Sequence, residues 1–255
     1  MALLYAPRAL LGLLTPQANT TVEPEVGLLL PPGFGQITAR LTSRCASMDD
    51  RLIDYFARIA DTAAQFANAP VAAIGFACTG ASYLVGAGPE AQALATLSTS
   101  GKPVISAGQA IAQALRALGA TRIAIASPYG AALTDRAADY WHQHGFTLTR
   151  IEPIAEDRAA FHPIYAHSAD HVATATTRLL ADPSGAEAIV LLGTGLPTLP
   201  ALVQAADATI PVLSSNLCLA WALCHAATGT PADAASLHHW RKGHHWQARL
   251  ATALP

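Results

Sequence analysis

Three short motifs occur twice in this chain, in the same order and at nearly the same spacing. That repetition constrains the fold more than any other feature. Leu11-Gly-Leu-Leu-Thr-Pro16 is echoed by Ala124-Ile-Ala-Ser-Pro128. Ala73-Ile-Gly-Phe-Ala-Cys-Thr-Gly80 is echoed by Ala188-Ile-Val-Leu-Leu-Gly-Thr-Gly195, and Pro103-Val-Ile-Ser106 by Pro211-Val-Leu-Ser214. Thr15 and Cys78 stand 63 positions apart, and Ser127 and Gly193 stand 66 apart. Three echoes in register imply two halves related by a pseudo-twofold. The first half spans residues 1–106 and the second 107–214, with residues 215–255 expected to pack on the first.

Each half alternates short apolar runs with helix-like stretches. Ala9–Leu14, Ala72–Phe76, Pro103–Ile105, Arg122–Ala126, Ala188–Leu192 and Pro211–Leu213 read as strands. Asp49–Asn68, Gly108–Leu118, Leu133–His144 and Asp170–Leu180 read as helices, the first opened by acids that suit the helix dipole. Apolar strands without polar alternation belong in parallel sheets covered on both faces. The expected architecture is therefore α/β: two pseudo-symmetric halves, each a mostly parallel sheet flanked by helices. Ligands of such sheets bind beyond the carboxyl ends of the strands, which puts the site in the cleft between the halves.

Composition narrows what the cleft can hold. The chain is 52% hydrophobic and 13% charged, with a net charge of −2 and no basic stripe, so no nucleic-acid partner is expected. The apolar opening Ala9–Leu14 is short and flanked by a single Arg8, so it reads as a buried strand rather than a leader, and no run reaches the length of a membrane span. Four scattered cysteines without a CxxC pair point to reduced thiols in a cytoplasmic setting. Cys45, Cys218 and Cys224 read as small buried hydrophobes.

Cys78 is placed differently. It follows an apolar strand and precedes Thr79-Gly-Ala-Ser82, small residues able to open a helix. A thiol at a helix N-terminus is expected to have a lowered pKa. Gly80, Gly193 and Gly195, with the Thr79 and Thr194 hydroxyls, would let two facing turns cradle a carboxylate or its enediolate. The repeat also exposes an asymmetry, because Cys78-Thr-Gly in the first half answers to Gly193-Thr-Gly in the second. His238, His239, His244 and His245, with Trp240 and Trp246, read as a solvated terminal segment, and His162, His167 and His171 as surface residues; no metal site is expected.

Gly12-Leu-Leu-Thr-Pro-Gln-Ala-Asn-Thr-Thr-Val-Glu-Pro-Glu25, Gly75-Phe-Ala-Cys78, Ser106-Ala-Gly108, Ala114-Leu-Arg-Ala-Leu-Gly-Ala120, Ser127-Pro-Tyr129 and Leu196-Pro-Thr-Leu-Pro200 together resemble the aspartate/glutamate racemase superfamily, in its maleate isomerase and arylmalonate decarboxylase branch. The resemblance implies a small carboxylic-acid substrate and no cofactor. It matches Cys78 to a nucleophile and Asn19 and Tyr129 to residues holding substrate carboxylates. It puts Gly193 where a second cysteine stands in many members, and Asp157 near an asparagine that helps bind maleate. Racemisation by two bases needs a group on each face and is disfavoured with Gly193 opposite. Cis–trans isomerisation of an unsaturated acid by Cys78 addition and elimination is the first expectation. Decarboxylation of a substituted malonate with Cys78 as proton donor is the alternative, and a non-catalytic carboxylate-binding relative the third. In both reactions Tyr129 helps stabilise the enediolate. A homo-oligomer is compatible with all three.

Overall fold

A computed structural model describes residues 3–99, 101–154, 163–165 and 167–253. Asp157 and His162 lie outside the described residues. The strands are β1 (Ala9–Pro16), β2 (Phe34–Leu41), β3 (Val71–Phe76), β4 (Val104–Ser106), β5 (Arg122–Ser127), β6 (Thr147–Pro153), β7 (Ala188–Leu191) and β8 (Val212–Ser214). They form two parallel four-stranded sheets, ordered β2-β1-β3-β4 and β6-β5-β7-β8. The two orders are identical, and each echoed motif occupies the same place in its sheet. This is the expected α/β fold of two pseudo-symmetric halves.

The helices are α1 (Val22–Leu29), α2 (Met48–Ala57), α3 (Ile59–Ala64), α4 (Thr79–Val85), α5 (Ala87–Ser98), α6 (Ala107–Ala117), α7 (Ala131–Gln143), α8 (Ala169–Ala181), α9 (Leu199–Gln204), α10 (Ser215–Thr228), α11 (Ala234–Arg241) and α12 (Gln247–Ala253). Serines start several of them. The side chains of Ser47, Ser106 and Ser214 accept hydrogen bonds from the amides of Asp50, Gln109 and Leu217, satisfying donors that a first turn leaves unpaired.

Two expectations need correction. The stretch 49–68 is not one helix: Arg58, at φ −96° and ψ 11°, separates α2 from α3. The break lets α2 pack on α4 while α3 packs on β1 and β2. The terminal histidine segment is solvated only on its histidine side. Leu237, Trp240 and Trp246 are buried, and the His245 Nε2 donates to the Leu29 carbonyl at 2.9 Å. His238, His239 and His244 are exposed, whereas His167 is buried and His171 closes a capping box with Ser168 at the start of α8.

α10 is apolar all round, and Ser215 through Cys224 are buried. It packs against α6, β3 and β1. Gly75 permits the close approach, since a Cβ there would stand 2.6 Å from the Leu223 Cδ1. A helix buried on every side is a core element. Truncating Leu219 or Leu223 to Ala should cost about 2–5 kcal/mol.

Candidate active site

The carboxyl ends of the four central strands converge. β1 contributes Pro16 and Asn19, β3 leads to Cys78, Thr79 and Gly80, β5 leads to Pro128 and Tyr129, and β7 leads to Thr194 and Gly195. All of these line one cavity of about 440 Å³, within the range of small-molecule sites. Sequence reasoning singled out seven of its lining residues. The helical walls were missed: Met48, Leu52 and Tyr55 of α2, Leu133 of α7, and Ile164 and Tyr165 of a short 3₁₀ turn. Their signal was weak, because apolar residues at helical spacing read as core.

The cavity has two sides. Asn19, Cys78, Thr79, Tyr129 and Thr194 make a polar rim, and Met48, Leu52, Leu133 and Ile164 an apolar wall. No lysine or arginine lines it among the described residues, and exposed Asp49 is the one charged residue there.

The rim is tied together across the halves. The Thr79 Oγ1 and Tyr129 hydroxyl share a hydrogen bond at 2.7 Å, and the Thr194 Oγ1 donates to the Ala77 carbonyl at 2.8 Å. The Asn19 Oδ1 accepts from the amides of Thr21 and Val22 at 2.8 and 3.0 Å. Its acceptor is thus occupied by the start of α1, and its Nδ2 points at Thr194 Oγ1, 3.4 Å away. Asn19 is oriented as a donor, which suits an anion.

Cys78 sits just before the first turn of α4, 4% exposed, and the nearby Ala81 amide favours its thiolate. The lowered pKa expected from helix position is overturned. Burial is the larger effect and pushes the thiol up to about 12, with the Ala81 hydrogen bond only partly opposing it. Tyr129 and Tyr165 are likewise pushed up by burial, and a charge on Cys78 would raise both further. Cys78 therefore rests as a protonated thiol among neutral hydroxyls. Cys218 and Cys224 are buried with thiols also pushed up, and Cys45 is half-buried; all four cysteines are free.

Gly193 departs from its expected place in the cradle: it is not among the described residues lining the cavity. Its φ is +95°, and a Cβ there would stand 2.9 Å from Ile164 Cδ1, 3.0 Å from Pro128 Cγ and 3.4 Å from the Tyr129 hydroxyl. A side chain at 193 would have to take up this positive φ and push against Ile164 and Pro128. Among the described residues no group of three histidine, cysteine or acidic side chains is placed to hold a metal ion, and no helix is long and apolar enough to cross a membrane.

Fold and site together define a two-lobed α/β protein with one thiol in a cleft rimmed by neutral hydrogen-bonding groups. The chain belongs to the arylmalonate decarboxylase family, whose sequence profile matches residues 11–238. A maleate isomerase of Nocardia farcinica is 30% identical over 220 residues, covering 80% of this chain and 84% of that protein. A maleate isomerase of Pseudomonas putida is 28% identical over 151 residues, 54% of this chain and 60% of that protein. The chain thus matches less than two thirds of the latter's length. A solved N. farcinica maleate isomerase, a cysteine-to-serine mutant with a covalently bound succinylcysteine intermediate, superposes with a TM-score of 0.75. It is 24% identical, with 91% of this chain and 98% of that one covered.

Proposed function

We propose that this protein decarboxylates a malonate bearing an apolar substituent, without a cofactor, with Cys78 as the proton donor. The observation that carries the reading is the geometry of the cavity, in which the buried Cys78 thiol stands between a polar rim and an apolar wall. One substrate carboxylate takes the donors of the rim, namely Asn19, the hydroxyl proton that the Thr79–Tyr129 pair does not spend on its mutual hydrogen bond, and the first amides of α4. The other stands against the apolar wall, where no cation holds its charge. Loss of carbon dioxide breaks the bond to that carboxyl carbon and leaves its electron pair as an enediolate, stabilised by the rim donors. The Sγ–H proton then passes to the α-carbon, and the thiolate takes a proton back from water as the product leaves. A strongly basic enediolate needs only a neutral thiol. The cavity is roomier than a four-carbon diacid requires, which supports an apolar substituent such as an aryl ring. In this reading residues 1–106, with 215–255, and residues 107–214 are the two halves closing on substrate, and a cytoplasmic, reducing setting keeps the thiol free.

Sequence alone ranks isomerisation first, and the buried thiol beside an apolar wall is what favours decarboxylation. Isomerisation keeps a specific support, since both curated relatives are maleate isomerases and a solved one carries a succinylcysteine. Incubation with phenylmalonate, followed by proton NMR, should give phenylacetate with native protein and none with Cys78→Ala. Replacement of the maleate vinyl proton resonance by that of fumarate, with phenylmalonate untouched, would select isomerisation instead.

A further inference from the structure

Behind the rim lies a buried carboxylate that the proposed reaction does not use. Glu25, on α1, is 6% exposed. It accepts from the backbone amides of Thr198 and Leu199 at the start of α9, from the Thr198 hydroxyl at 2.9 Å, and from the Asn216 Nδ2 of α10 at 2.8 Å. The same Nδ2 donates to the Thr194 carbonyl at 3.1 Å. Thr194 in turn reaches the Ala77 carbonyl, one residue before Cys78. The Thr21 Oγ1 adds a tie to the Gly195 carbonyl at 2.9 Å. Residues 194–199 belong to the second half, and Glu25 reaches them from the first.

We infer that Glu25 is a positioning residue whose carboxyl oxygens, by accepting four hydrogen bonds, tie the 194–199 loop to the first half and so set where Thr194 and Gly195 stand relative to Cys78. This rests on the reading of the cavity as the active site. The chemistry of the donors favours a carboxylate: four converge on two oxygens, and a carboxamide would turn an N–H₂ toward one of them. The partners from the loop, α9 and α10 are all neutral. On α1 itself, Glu23 is paired with Arg40, and at the far end His245 and Arg249 bind the Leu29 and Leu30 carbonyls. Burial raises the Glu25 carboxyl to about 7, opposed by its four hydrogen bonds. Glu25 therefore changes charge in a range where Cys78 and Tyr129 stay protonated.

The test is an NMR titration of the full chain from pH 5.5 to 8.5, with Glu25→Gln and Glu25→Asp beside it. In native protein the Thr198 and Leu199 amide resonances should shift with a midpoint near 7, and those of Thr194 and Gly195 should shift with the same midpoint. All four should be flat in Glu25→Gln, and the titration should return in Glu25→Asp. If Thr198 and Leu199 titrate while Thr194 and Gly195 stay still, Glu25 only caps α9 and the inference is overturned. No inflection in any of them overturns it too, and the native protein alone decides both points. Phenylmalonate turnover supplies the second readout: kcat at pH 8 should fall at least tenfold in Glu25→Gln, with the acid limb near pH 7 lost. A native protein inert to phenylmalonate sinks the decarboxylase reading, while the resonances still decide the role of Glu25.

Discussion

Alkylation of Cys78 as a function of pH separates the two candidate reactions, because one starts from a thiol and the other from a thiolate. Cys45 is half-buried and would also react, so the measurement uses Cys45→Ala; Cys218 and Cys224 are buried and held protonated. With a pKa of about 12, only ~10⁻⁴ of Cys78 is thiolate at pH 8, against roughly a quarter of a free thiol with the usual value of ~8.5. Iodoacetamide should therefore modify Cys78 about three orders of magnitude more slowly than free cysteine at that pH. The rate should climb about tenfold per pH unit without levelling off below pH 10. The shape of the curve is the readout, since restricted access slows every point equally. Intact-mass spectrometry follows the adduct, and phenylacetate should protect. A plateau with its midpoint below 8.5 would refute the reasoning: the amides of α4 would then outweigh burial, and nucleophilic addition would become the better mechanism.

Three further outcomes follow from the geometry. Tyr129→Phe removes a hydroxyl donor to the enediolate, about 1.5–3 kcal/mol if charge-assisted. In steady-state assays it should lower kcat/KM roughly 10- to 150-fold, and an unchanged value would move the oxyanion site elsewhere. Because the folded pKa of Glu25 lies above its unfolded value of 4.5, the stability it contributes is present below pH 4.5 and lost as pH rises through 7. Urea melts should show a loss on the order of 3 kcal/mol across that window, absent in Glu25→Gln. Gly193→Cys should cost on the order of 2–3 kcal/mol, from its positive φ and from crowding against Ile164 and Pro128, which is a melting point lower by about 4–10 °C. With Ile164→Ala added, part of that loss should return, and deuterium should enter a 2-arylpropionate from D₂O; a folded double variant without exchange would mean that residue 193 does not face the α-carbon.

What the sequence made legible, and what it hid, follows from where each residue's energy lies. The central strands β1, β3, β5 and β7 are buried on both faces, so their apolar runs stood out, and the turns after them carried the rim. The edge strands β2 and β6 have one neighbour each and half-exposed faces, with Thr38, Arg40, Thr147 and Arg150 among their residues, so nothing in Phe34–Leu41 or Thr147–Pro153 reads as a core strand. Local chemistry misjudged the thiol for a related reason. The amides ahead of Cys78 are contributed by its own next residues and can be read from the sequence, whereas its burial is supplied by the fold around it. Burial won, which a local reading cannot weigh. Glu25 shows the same limit more sharply. It stood inside a recognised motif, yet its partners Thr198 and Asn216 lie 173 and 191 positions away, and no spacing rule connects them. The repeat located the cleft because symmetry is a property of order. The charge states inside the cleft depend on which side chains the two halves press together, and order alone does not give them.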